Sequence, residues 1–144
     1  MQLTRESVYA IQGLAFLAER PPGTAVSLGD VAAAQRLPAS FLAKIFQKLA
    51  RHGLLIAERG RGSGYLLARA PDTLTMREIL VAVEGPGALE RCVLWGGLCS
   101  DAEPCPLHSR LGKFRPALDA LLNGITLADC VAEGRVSSTS RGAP

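Results

Sequence analysis

No run in this sequence approaches the length that a membrane-spanning helix requires. Its longest apolar stretches, such as Leu14 to Ala18 and Ile79 to Val83, are far too short. The N-terminus has no basic segment followed by a long apolar run, so the chain is expected to stay in the cytoplasm and off membranes. Also missing are a Cys-x2-Cys pair and a glycine-rich nucleotide motif following a strand. No second histidine stands near the cysteines to act as a base. Those absences argue against a nucleotide-dependent redox enzyme or a thiol oxidoreductase, and the chain is not expected to be an enzyme. No internal repeat is visible.

Cysteine is scarce but concentrated. Of four, three lie with a histidine in one glycine- and proline-rich stretch, Cys92-x6-Cys99-x5-Cys105-x2-His108; the fourth, Cys130, stands apart and is expected to serve packing. In a reducing compartment disulfide frameworks do not persist, so clustered cysteines are better read as ligands or redox groups. Three thiols and an imidazole on an irregular segment suit a thiolate-preferring metal or an iron-sulfur cluster. Zinc is the rival, although zinc sites usually draw ligand pairs from knuckles two to four residues apart, and buried thiols with a core histidine are the bland alternative.

The 144 residues and 48% apolar content support one ordinary domain with a real core and, at most, an appended dimerisation element. Charge is unevenly placed. Residues 1–70 carry 9 Lys and Arg against 4 Asp and Glu, a net of +5, while residues 71–144 carry 7 against 9, a net of −2. Positive charge in the N-terminal half is what a phosphate-facing surface needs.

Leu3, Val8, Ile11, Leu14, Ala15 and Ala18 recur at helical spacing, predicting a helix over roughly residues 3–19 that Arg20-Pro21-Pro22-Gly23 ends. Ser27 to Asp30 resembles a capping box opening a helix to about Gln35. After the break at Leu37 to Ser40, the residues Phe41, Leu42, Ile45, Phe46 and Leu49 form an apolar stripe on a helix that closes at His52-Gly53. Its polar sides carry Lys44, Gln47, Lys48 and Arg51. Two short helices joined by a tight turn have the layout of a helix-turn-helix, with the cations of the second placed to meet phosphates. Residues 54–58 and 65–68 read as paired strands around Arg59-Gly60-Arg61-Gly62-Ser63-Gly64, a wing whose two arginines suit a narrow minor groove. A capped helix follows over residues 75–84. Leu107, Leu111, Phe114, Leu118, Leu121, Leu122 and Ile125 then repeat at intervals of three and four, a seam that a partner chain could bury, with Pro116 inside it. Thr126 to Asp129 caps a last helix, and Ser137 to Pro144 is a polar tail expected to be disordered.

Leu3-Thr4 with Tyr9-Ala10, Ser40-x-Leu42, Leu49-x3-Gly53-Leu54, Arg59-Gly60-x-Gly62-x-Gly64-Tyr65-Leu66-Leu67, the three cysteines and Asn123-x-Ile125-Thr126-Leu127 together resemble the Rrf family of bacterial winged-helix transcription regulators, closest to its iron-sulfur branch, over roughly residues 1–132. The resemblance implies a mainly α fold with a small β-hairpin wing: a winged helix-turn-helix DNA-binding domain (residues 1–84), a cluster-binding loop (85–108), a long C-terminal dimerisation helix with a short terminal helix (109–132), and a tail (133–144). It implies a homodimer on double-stranded DNA, with Ser40, Ala43 and Lys44 facing base edges; Gln47, Lys48 and Arg51 on the same helix and Arg59 and Arg61 on the wing complete the expected DNA-binding set. It further implies a 2Fe-2S cluster held by Cys92, Cys99, Cys105 and His108, with 4Fe-4S or zinc as alternatives. Relatives with a 4Fe-4S cluster use an aspartate where this chain has Val8, which disfavours that mode.

Overall fold

The computed structural model describes residues 3–133. Along them run α1 (Arg5–Ala18), α2 (Leu28–Gln35), α3 (Ala39–Arg51), β1 (Leu55–Glu58), β2 (Gly64–Leu67), a 3-10 turn at Pro71–Thr73, α4 (Met76–Glu84), α5 (His108–Gly124) and α6 (Leu127–Ala132). The expected mainly helical fold with one antiparallel hairpin is present, and the elements lie close to their predicted limits. The tail lies, from residue 134 on, outside the described residues.

The inward face of α1 carries Ala10, Leu14 and Leu17 against Leu42, Ile45, Phe46 and Leu49 of α3. Gly13 lets the two helices approach: a Cβ there would come within 2.7 Å of the fully buried Phe46 ring. Ser27 caps α2 by accepting from the Asp30 N–H, and its hydroxyl donates to the Asp30 carboxylate. At the end of α2, Arg36 takes a left-handed conformation (φ 54°), and Leu37 N–H donates to the Ala32 carbonyl, reversing the chain into α3. Pro38 occupies the N-cap of α3, which places Ser40 in the first turn. Phe41 falls off the expected stripe: it is 41% exposed, edge-on to Tyr9.

The hairpin pairs Leu55 with Leu67, Ile56 with Leu66, Ala57 with Tyr65 and Glu58 with Gly64. Its second strand is tied to the loop before α2 by two backbone hydrogen bonds, Val26 N–H to Tyr65 O (3.0 Å) and Tyr65 N–H to Val26 O (2.8 Å). Thr75 and Glu78 complete a capping box on α4, whose Ile79, Leu80, Ala82 and Val83 are buried. α5 runs on through Pro116 as one helix; the carbonyl that the proline leaves without a donor is that of exposed Gly112, open to water. Its apolar residues divide. Leu118, Leu122 and Ile125 pack on Met76 and Leu80, whereas Phe114 and Leu121 are each 57% exposed. The chain then returns. Met76 N–H donates to Ile125 O and Leu127 N–H to Leu74 O, both at 2.8 Å, and Leu127 is fully buried in the main core. Among the described residues no helix is long and apolar enough to cross a membrane.

Candidate nucleic-acid interface and thiol loop

At about 100° per residue, Ser40, Lys44, Gln47 and Arg51 fall within about 60° of one another on α3, opposite its buried stripe. All four are exposed, Ala43 is half-buried at the edge of the group, and Lys44 and Arg51 have no ion pair among the described residues. Lys48 is turned roughly 70° away from the centre of that face. Its ammonium reaches Glu6 Oε2 on α1 at 2.5 Å and the Val83 carbonyl of α4 at 3.4 Å, so it is tied inward. Sequence spacing had grouped Lys48 with the outward cations because it sits one residue past Gln47; Glu6, distant in the chain, draws it in.

Arg59 and Arg61 stand exposed at the hairpin tip, where Gly60 and Gly62 hold positive φ (92° and 75°) that side chains rarely adopt. Gly64 serves differently. Its φ is ordinary, but a Cβ would overlap the Val26 carbonyl and lie 2.9 Å from the Ser27 nitrogen, so this glycine permits the close approach that anchors the wing. An open groove lies between α3 and the wing, walled by Gln47, Arg51, Arg59, Ser63 and Tyr65, with Glu58 as its acidic residue.

The loop after α4 is more ordered than its composition suggests. Arg91 and Leu98 form a bridge, Cys92 N–H donates to Gly97 O (2.7 Å) and Cys99 N–H to Glu90 O (2.9 Å), with Gly96 (φ 69°) in the turn. Cys92 and Cys105 are both buried. The backbone N–H groups of Trp95 and Leu94, then the Cys105 thiol and the Arg115 guanidinium, hold the Cys92 thiol below its ordinary range against the opposing effect of burial. Cys99 and His108 form a pair, Sγ to Nδ1 at 3.1 Å, and His108 opens α5 rather than ending the loop. The other ring nitrogen, Nε2, lies 2.7 Å from the Asp101 carboxylate, an arrangement that favours a proton on Nε2 and leaves the Nδ1 lone pair facing the Cys99 sulfur. Asp101 was not anticipated. A carboxylate within a loop's length of a candidate ligand histidine is the signal that could have found it. Among the described residues no three Cys, His, Asp or Glu side chains converge on a point for a single metal ion. Cys130 packs beside Met76 and Leu122, and burial, with Asp129 and Glu133 nearby, pushes its thiol up, as befits an inert packing residue.

A helix-turn-helix with a cationic wing, carrying an ordered thiol loop that leads into a partly uncovered helix, defines a winged-helix transcription regulator. The Rrf2 family, described as iron-dependent transcriptional regulators, matches residues 3–133. The chain belongs to the Rrf2 family. It is 30% identical over 140 residues to the HTH-type transcriptional regulator IscR of Escherichia coli O1:K1 / APEC, covering 97% of this chain and 86% of that protein. Among solved structures, T. potens IscR is similar with a TM-score of 0.71 at 25% identity, covering 99% of this chain and 94% of the other. CymR (YrzC), the global cysteine regulator of B. subtilis, shares the fold with a TM-score of 0.75 at 24% identity, covering 92% and 98% respectively.

Proposed function

We propose that the protein is a cytoplasmic, homodimeric regulator that binds double-stranded DNA and changes its DNA affinity or sequence preference with the state of an iron-sulfur cluster, 2Fe-2S, held by Cys92, Cys99, Cys105 and His108. The observation that carries this reading is the ordered donor loop: Cys99 Sγ and His108 Nδ1 stand 3.1 Å apart, and Cys92 and Cys105 are both buried within it. A mononuclear zinc site needs four donors around one point, which no three of these side chains offer, whereas a two-iron cluster spreads its ligands two to each iron, a demand that the Cys99–His108 pair suits. The cluster, when bound, would supply an electron-accepting centre sensitive to oxidants and iron supply. The chain's own part is to hold the sulfurs: backbone N–H groups favour the thiolate of Cys92, and Asp101 orients the imidazole of His108.

On the DNA side, Lys44, Arg51, Arg59 and Arg61 would meet phosphates and the minor groove, while Ser40, Ala43 and Gln47 would lie toward base edges. Ala43 offers only an apolar contact, such as to a thymine methyl. The exposed Phe114 and Leu121 on α5 would be covered by the same helix of a second protomer.

Anaerobic purification followed by iron, sulfide and zinc analysis tests the cluster. Iron with acid-labile sulfide is expected, lost in Cys92→Ala, Cys99→Ala and Cys105→Ala but retained in Cys130→Ala, with His108→Cys keeping a cluster of lower potential. Stoichiometric zinc without iron from iron-replete cells would overturn the cluster. Selection from random duplexes that enriched no two-fold-symmetric sequence would overturn the DNA reading.

A further inference from the structure

Lys48 stands where three helices meet. Its ammonium, on a side chain 34% exposed, bridges Glu6 in the first turn of α1 and the Val83 carbonyl in the last turn of α4, while its own backbone belongs to the helix that would enter DNA. A cation at the C-terminal end of α4 satisfies a carbonyl that the helix cannot and meets the negative end of the helix dipole. The next residue, Glu84, is clamped from the other side: its carboxylate accepts from Ser7 Oγ (2.6 Å), the Thr4 backbone N–H (3.2 Å) and the Thr4 hydroxyl. Its carbonyl lies 3.5 Å from Nη2 of Arg91, the residue that precedes Cys92 and bridges to Leu98 across the thiol loop. Arg115 of α5 in turn donates to the Arg91 carbonyl at 3.4 Å.

We propose that Lys48 is a positioning residue that couples the thiol loop to α3, fixing the recognition helix against the end of α4, and is not a phosphate contact. This rests on the cluster-controlled reading above. A loop that closes on its ligands and one that is released hold Arg91, and through it the end of α4, differently. Lys48 converts that difference into a difference in the seating of α3, and only such differential contacts shift affinity between two states.

The test measures duplex affinity of cluster-loaded and cluster-free dimer at several salt concentrations, for the wild type, Lys48→Met and Glu6→Gln, with iron content as control. In the wild type the two states are expected to differ on the order of tenfold or more. In Lys48→Met the ratio should fall to about twofold, with iron content and salt slope unchanged. Glu6→Gln should lower the ratio too, although it removes an acid and so cannot weaken phosphate binding. A Lys48→Met protein that keeps the wild-type ratio while the dimer loses about two units of salt slope, one per protomer, would overturn the inference and make Lys48 a DNA contact. A Glu6→Gln protein that keeps the full ratio would also overturn it. Equal affinity of the two wild-type states would instead remove the cluster-controlled reading, and the coupling role with it.

Discussion

Replacing Gly64 with alanine should damage this protein more than replacing any other glycine of the wing, although Gly64 alone among Gly60, Gly62 and Gly64 has no unusual backbone angle. The added methyl would overlap the Val26 carbonyl, backbone that cannot rotate aside, whereas a Cβ at Gly60 or Gly62 meets open space. Carbon atoms ordinarily pack near 3.5 Å, so strand and loop must part by about an ångström. That is enough to break both Val26–Tyr65 hydrogen bonds. At roughly 1 kcal/mol each, with about 1 kcal/mol more for disturbing the edge-to-face contact of Tyr65 on Phe46 at 5.1 Å, the cost is about 2–3 kcal/mol. For a chain of this size that lowers Tm by roughly 8–12 °C at matched protein concentration. Gly60→Ala should cost about 1 kcal/mol, for its left-handed backbone alone. Thermal unfolding followed by circular dichroism reads both, and duplex titration should show Gly64→Ala losing up to about four units of salt slope as Arg59 and Arg61 of both protomers leave their places, with iron content intact. A melting point for Gly64→Ala within 2 °C of wild type, or below-wild-type stability greater for Gly60→Ala, would refute the close-approach argument.

Phe114→Glu and Leu121→Glu alter residues that are exposed in a single protomer, so each variant should fold, yet each should raise the dimer dissociation constant on the order of a hundredfold, since two copies of the side chain lose about 1.5 kcal/mol or more apiece. Sedimentation velocity checks this, and an unchanged mass would place the dimer contact elsewhere. Glu84 predicts a pH dependence: burial raises its carboxyl pKa, but the hydroxyls of Ser7 and Thr4 with the Thr4 N–H outweigh that and hold it below the ordinary value. Because the folded value is the lower one, its stabilisation is complete above the ordinary carboxylate range and disappears as pH falls through the folded value. Urea midpoints of wild type and Glu84→Gln should therefore differ at neutral pH and converge in strong acid; a gap that stays constant with pH would exclude the ionised carboxylate as its source.

Helix limits were legible because capping and periodicity are local: Ser27 with Asp30, Thr75 with Glu78 and Thr126 with Asp129 all cap where their spacing indicated. The wing was legible for a similar reason, since turn glycines announce themselves. Lys48 was not, because its orientation is decided by Glu6 and Val83, contacts that no local pattern encodes. The same holds for Gly64, which looks like one more flexible residue in a glycine run until Val26 is placed against it. The thiol loop reads as irregular from its prolines and glycines, yet the pairing of Arg91 with Leu98 makes a small hairpin of it, and Asp101 acquires meaning only once His108 is seen at the start of α5.

The return of the chain after α5 governs the order in which the molecule can be made. Leu127 is the one fully buried residue of the main core that lies beyond Val83 among the described residues, with Val131 packed beside that core, and the Thr75–Thr126 bridge holds the segment there. A nascent chain therefore has its recognition helix and wing synthesised while its interior is still short of one wall, which arrives only after the thiol loop and α5 have been made. Translation that stops before Leu127 is expected to leave α3 and the wing on an incomplete core. The core that holds α3 and the wing is closed by a residue that lies beyond the thiol loop in the chain.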